Sequence, residues 1–151
     1  MAEQLSFPFA KEYRRARASG PYPVAAGNRW KKYDVALDFD GVLHANVAKW
    51  TKPSEVNDVP TEGALEAVQL YERAGLNLIV FSARANDAEA TRAIRTWLRD
   101  NGFPAMPITA KKVDATIYVD DRGYHFNGNN WPSVESIIRF TPWNRKELSN
   151  D

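Results

Sequence analysis

Cysteine is absent from the 151 residues, which excludes disulfides and thiolate metal sites and leaves the fold to be held by burial and hydrogen bonding. No apolar run approaches the ~18 residues of a membrane-spanning helix, and the first residues lack the uninterrupted apolar core of a secretory signal. Cytoplasmic residence and no membrane partner are therefore expected. Neither sign of charge is in surplus, with 20 Lys and Arg against 19 Asp and Glu, so the overall balance points to no partner. The two histidines form no cluster of the kind that binds zinc. No repeat of solenoid type is visible. What is present, 44% hydrophobic and 26% charged residues, is the composition of one globular domain, able to bury about 70% of its unfolded surface.

Charge is nevertheless uneven along the chain. Residues 1–32 carry seven Lys or Arg (Lys11, Arg14, Arg15, Arg17, Arg29, Lys31, Lys32) against Glu3 and Glu12, with prolines and glycines between them. This reads as a basic arm with one short helix over 11–18, either a solvated extension or a collector of anionic substrate. Phe7, Phe9, Tyr13 and Tyr22 suggest that part of it packs on the body. A folded domain is expected over 33–142 and a polar tail over 143–151.

The domain opens on VALDFDGVL at 35–43, where an apolar lead meets Asp38, a second acid stands at Asp40, and Gly41 permits a turn that bulkier residues resist. Open α/β sheets bind ligands at the carboxyl ends of their strands, so a buried strand ending in acids is where chemistry is expected. Residues 44–60 are polar and aperiodic, with Trp50 the largest apolar residue, and read as a loop or small flap. Thr61 is placed to cap a helix whose Ala64, Leu65, Val68 and Tyr71 recur at helical spacing up to Gly75, and a short strand, LNLIVF, follows at 76–81. The pattern repeats with Asn86 as cap, Glu89 three residues on, and an apolar face of Ala90, Ala93, Ile94, Trp97 and Leu98 ending at Asn101 and Gly102. Ile108 and Thr109 lead to a third apolar run at 115–119 that ends in Asp120 and Asp121. A glycine- and asparagine-rich loop follows over 123–130, and Ser133 is placed to cap a short helix through Ile138. Strand, helix, strand units make their strands parallel. The expected fold is thus α/β, a Rossmann-like parallel sheet with helices on both faces in a single domain.

In such a sheet the strand ends lie along one edge, which brings Asp38, Asp40, Ser82, Asp120 and Asp121 to one crevice, with Lys112 arriving just before the third strand. Carboxylates this close cannot all stay ionised without a cation, and an all-oxygen set with few protein ligands suits Mg²⁺, which keeps several waters and shares phosphate oxygens.

These residues carry a resemblance. DFDGVL at 38–43, FSAR at 81–84, Lys112 and YVDD at 118–121 are similar, in order and placement, to the four motifs of the phosphatases of the haloacid dehalogenase superfamily, over about 32–132. The resemblance implies that Asp38 is the nucleophile and Asp40 the general acid and base, with Ser82 and Lys112 on the phosphoryl oxygens. It implies that Asp120 and Asp121 complete a Mg²⁺ site with Asp38 and the carbonyl of Asp40. Asp121 is preferred as the direct ligand because it takes the place of the acid in the family's glycine-aspartate form, leaving Asp120 to orient Lys112 or a water. Lys112 is preferred to Lys111 because it stands in the family's lysine position, although Val113 replaces the usual proline. The physical needs agree. Phosphoryl transfer requires an in-line nucleophile, neutralisation of the moving group and a proton for the departing alkoxide. A halide leaves without a proton, so Asp40 favours phosphatase over dehalogenase.

Arg84 and Arg122 each follow a motif directly and are expected to touch substrate, and His44 is expected to line the mouth. Each also has an ordinary reading as a surface or loop residue, as Ser82 does as a strand-end cap. The gaps after the first motif and between the second and third are too short for the cap domains that many family members carry, so an uncapped, open site is expected. YVDDR resembles the DDR form of deoxyribonucleotidases and of the phosphatase half of polynucleotide kinase-phosphatases. Together with the basic, aromatic-bearing arm it ranks nucleotides and nucleic-acid terminal phosphates ahead of sugar phosphates and phosphoproteins. A homo-oligomer partner could serve as lid. The alternative from another class is a catalytically silent module that binds phosphate or nucleic acid.

Overall fold

The computed structural model describes residues 33–145. The arm over 1–32, with the short helix expected there, and the tail beyond 145 lie outside the described residues. Tyr33–Asp38 forms β1, in which Asp34, Val35, Ala36 and Leu37 are all buried. Apart from Asp34, whose carboxylate accepts from Asn77 N–H at 2.7 Å, that is the pattern of a central parallel strand covered on both faces. β2 (Leu78–Phe81), β3 (Ile108–Thr109) and β4 (Ala115–Val119) complete an all-parallel sheet in the order β3-β2-β1-β4. Asp38 pairs with Phe81, and Leu37 pairs with Val119. One step further along each strand, Ser82 emerges beside Asp38 and Asp120 comes level with it.

The helices α1 (Ala64–Arg73) and α2 (Ala88–Asp100) both contribute to one core with Val35, Leu37 and Phe39, through Val68 from α1 and Ile94, Trp97 and Leu98 from α2. Each such side chain withdrawn from water contributes roughly 1.5–3 kcal/mol. Helices were expected on both faces; these two share one. The opposite face, on which Ala36, Ile79 and Tyr118 lie, is crossed by residues 110–114, which run from β3 at one edge to β4 at the other. Val113 donates its N–H to the Tyr118 hydroxyl at 2.6 Å, and that hydroxyl donates to the Val113 carbonyl. Three strand spacings of about 4.8 Å must be spanned, and so short a connector manages this only when extended, which leaves nothing from which to wind a helix.

The cap positions differ by small steps from expectation. α1 follows Gly63 at φ +79°, with no side-chain cap, because Thr61 is used elsewhere: its hydroxyl donates to the Val42 carbonyl and its N–H to that of Leu43. α2 is capped by Asp87, not Asn86, through Ala90 N–H at 3.0 Å, since residues 83–86 form a 3-10 turn first. Ser133 caps α3 (Val134–Arg139) as expected, accepting from Ser136 N–H at 3.0 Å. The apolar residues of α3, Val134, Ile137 and Ile138, are exposed among the described residues.

Candidate active site

The turn that follows β1 builds the site. The carbonyl of Phe39 accepts from the N–H groups of Val42, Leu43 and His44 at 3.3, 3.0 and 2.9 Å, winding the chain through one tight turn. Gly41 sits in that turn at φ +82°, where only glycine is free of strain. A Cβ at this position would lie 2.7 Å from Cγ of Asp121 and closer still to its Oδ2, so glycine is required for space as well as for conformation.

Asp38, Asp120 and Asp121 each place a carboxylate oxygen within 4.8 Å of the other two. Burial, a hydrogen bond with Asp121, and the charges of Asp120 and Asp121 push the Asp38 carboxyl up from 3.8 to about 8. Oδ1 of Asp121 is buried and has no hydrogen-bond partner among the described residues. An orphaned acceptor among mutually repelling carboxylates is the donor set a hard divalent cation completes, so these three residues fit Mg²⁺ by their chemistry. Asp120, the more exposed of the pair, accepts from Arg122 N–H at 2.7 Å.

Asp40 lies on the same turn in a different setting. Burial alone would raise its carboxyl, but hydrogen bonds from His44 and Arg84 and the charge of Arg84 outweigh it and hold the group below the ordinary value. Arg84 grips it with both arms of its guanidinium, Nε to Oδ2 at 2.8 Å and Nη2 to Oδ1 at 2.6 Å, while His44 Nδ1 lies 3.1 Å from Oδ1. His44 Nε2 accepts the N–H of Asp58 at 3.0 Å, so the proton of the neutral ring is on Nδ1 and points to Asp40.

Two expectations are corrected here. Arg84 is 5% exposed and His44 2% exposed. Neither lies at an open surface, and each is committed to Asp40 and to the flap. His44 also stacks on Phe39 and meets Trp97 edge-on, which a loop histidine at the mouth would not do. Ser82 is buried beside the end of β1; its hydroxyl accepts Arg84 N–H at 3.2 Å, the capping role, and keeps its own proton for a further acceptor. Lys112 is exposed, with Nζ 5.7 Å from the centre of the Tyr118 ring, and among the described residues it makes no ion pair with Asp38. It lines a cavity of about 670 Å³ together with Phe81, Tyr118, Asp120, Tyr124 and His125. Lys111 does not line that cavity. Arg122 is exposed directly after the acidic pair.

The turn has supports that the sequence did not reveal. Trp143 Nε1 donates to the Gly41 carbonyl at 2.7 Å, Asn144 Nδ2 to those of Ala45 and Asn46 at 3.1 and 3.2 Å, and Arg145 Nη1 to those of Asn46 and Val47 at 2.8 and 3.1 Å. Residues 143–145 are thus a strap across the turn, not the start of a solvated tail. The signal available was Trp143 itself, since a tryptophan is poorly suited to a polar extension. Asp58 is the second omission: its carboxylate accepts from Val47 and Ala48 at 2.7 and 3.1 Å, and its carbonyl from Trp97 Nε1 at 2.8 Å. Compared with models of protein families, with curated proteins and with solved structures, the chain has no match in any of the three.

Proposed function

We propose that this chain is a Mg²⁺-dependent phosphomonoesterase of the haloacid dehalogenase type, working through an aspartyl phosphate on Asp38. The carrying observation is the group of Asp38, Asp120 and Asp121 at the carboxyl end of β1 and β4, with its orphaned Asp121 oxygen. Bound Mg²⁺ supplies the positive charge that keeps these carboxylates ionised beside a phosphate. In the first half-reaction an Asp38 oxygen forms a bond to phosphorus as the bond to the ester oxygen breaks, and Asp40 gives that oxygen a proton. In the second, water attacks phosphorus, Asp40 takes its proton, and the Asp38 carboxylate is regenerated with release of phosphate. Its neighbours hold Asp40 ionised, which suits it to the second step. Its acid form, needed in the first, grows about tenfold for each pH unit of acidification. Ser82 and Lys112 are assigned to the phosphoryl oxygens, Ser82 by its hydroxyl next to the β2 end that pairs with Asp38 and Lys112 by its place beside Asp120.

The architecture in this reading is a Rossmann-like core without a cap domain, since the chain between β1 and β2 holds only the flap and α1, and between β2 and β3 only the 3-10 turn and α2. Nucleotides or nucleic-acid terminal phosphates are the proposed substrates. Support comes from the cavity beside Asp120 and Lys112, whose Phe81, Tyr118, Tyr124 and His125 offer rings to a planar leaving group. A silent phosphate-binding module is the second reading, and the observation favouring it is that both Asp40 oxygens are already occupied. Phosphate release with Mg²⁺ or with chelator, over a panel of nucleotides, 3′-phosphorylated oligonucleotides, sugar phosphates and phosphopeptides, decides between them. Release from nucleotides or oligonucleotides that Asp38→Asn abolishes is expected. No release from any member, with retained binding, would establish the silent module instead.

A further inference from the structure

Arg84 uses every N–H it has. Nε and Nη2 hold the two oxygens of Asp40; Nη2 also reaches Oδ1 of Asn46 at 3.5 Å; Nη1 donates to the carbonyls of Pro53, at 3.2 Å, and Glu55. The face of its guanidinium lies 4.4 Å from the ring centre of Trp50. One buried cation thus ties the acid of the β1 turn to both limbs of the flap over 46–58. A second tie runs in parallel, from Asp40 through His44 Nδ1 and Nε2 to the N–H of Asp58. Among the described residues the 143–145 strap also spans the turn and the first limb of the flap, and Asp58 closes the flap's neck, but only Arg84 and His44 tie the flap to the Asp40 carboxylate itself.

We propose that Arg84 is a positioning residue that makes the placement of the Asp40 carboxylate and the docking of the flap a single equilibrium. A buried guanidinium cannot release the flap carbonyls without losing several charge-assisted bonds at once, and it cannot lose Asp40 without being left as an uncompensated charge. The flap therefore docks where Asp40 is held, and Asp40 is held where the flap is docked. The fork geometry is essential. Lysine, a point charge with three donors, cannot hold both carboxylate oxygens and two carbonyls together. The catalytic side of this inference rests on the phosphatase reading of Asp40; the structural side does not.

Two measurements separate them. Hydrogen exchange of the 47–57 amides in the full chain reads the link without catalysis. Asp40→Asn keeps the shape of the side chain and removes its charge, and it is expected to accelerate flap exchange on the order of ten- to hundredfold, the fold-change of weakening hydrogen bonds to a charged group. Arg84→Lys is expected to do the same. Exchange unchanged from wild type in Asp40→Asn, with the fold intact by circular dichroism, overturns the link. The second measurement is kcat for Arg84→Lys on aryl phosphates, whose leaving groups need little protonation, and on alkyl phosphates, which depend on it. Loss concentrated on the alkyl esters supports positioning of the acid, whereas equal loss on both overturns that role. If the wild-type chain hydrolyses neither class, the phosphatase reading fails and the exchange result still decides whether Arg84 couples the flap to Asp40.

Discussion

Replacing Gly41 by alanine isolates what holds the acidic cluster in place. The φ of +82° costs a residue with a Cβ roughly 1–2 kcal/mol. The Cβ itself would stand 2.7 Å from Asp121 Cγ and closer still to Oδ2, and ordinary contact begins near 3.4 Å, so the Asp121 side chain must withdraw by more than about 0.7 Å. Metal sites tolerate about 0.2 Å in ligand distance, so a shift of that size is expected to weaken Mg²⁺ binding on the order of ten- to hundredfold. The backbone strain alone lowers Tm by roughly 3–8 °C in a domain of this size. Two controls divide the effects. Gly128→Ala introduces a Cβ at φ +115° with nothing within 4 Å, so it carries strain without collision and should leave Mg²⁺ affinity unchanged. Gly41→Asn puts a residue that tolerates the left-handed region where the collision remains, and should lose affinity with less loss of stability. Calorimetric titration of Mg²⁺ and thermal unfolding in chelator give the two readouts. Wild-type affinity in Gly41→Ala would refute the placement of Asp121 against the turn, and with it the cation site.

Three further outcomes follow from the same geometry. Asp38 is raised to about 8 by burial and by Asp121 and Asp120, so the folded chain keeps a proton that the unfolded chain gives up near 3.8; the stability due to that proton is full below pH 3.8 and is lost as the pH rises through 8. Mg²⁺ must displace the same proton, so its affinity should increase about tenfold per pH unit up to pH 8 and then level off, and an affinity independent of pH from 6 to 8 would contradict the assignment. Asp38→Asn should abolish phosphate release yet leave the metal-free protein at pH 9 as stable as wild type or more so, because a repelling charge leaves the cluster; thermal unfolding in chelator checks this. Trp143→Phe removes the donor to the Gly41 carbonyl, should cost about 1 kcal/mol, and should weaken Mg²⁺ binding although residue 143 is no ligand, as calorimetric titration would read.

The placement of the acids was legible for a local reason. β1, β2 and β4 are short apolar runs that end abruptly in polar residues, and parallel pairing carries those ends to one edge whatever the details of the loops. The preference for Lys112 over Lys111 comes from the family resemblance and not from spacing by itself; Lys112 lines the cavity beside Asp120 and Lys111 does not. The misread caps show the limit of local signals. Thr61 has the chemistry of an N-cap, but a carbonyl of the β1 turn competes for its hydroxyl, and no count along the chain reveals that competitor. The helix-free connector over 110–114 was open to arithmetic from its length, yet its path depends on β3 and β4 occupying opposite edges of the sheet.

The chain by itself determines three of its four strands, its two long helices, the spacing of Asp38, Asp40, Ser82, Asp120 and Asp121, and the glycine at 41, because each is written in a period or a residue type within a few positions; the short β3 at Ile108–Thr109 is not so written. Tertiary structure alone decides what those side chains do to one another. Arg84 reaches Asp40 across 44 positions and Trp143 reaches Gly41 across 102, separations at which sequence spacing carries no geometric information. Asp38 and Asp40 are two residues apart, yet one is buried against two acids and pushed up while the other is held down by His44 and Arg84. The titration of a carboxylate is set by what stands within a few ångströms of it, and that is a property of the fold.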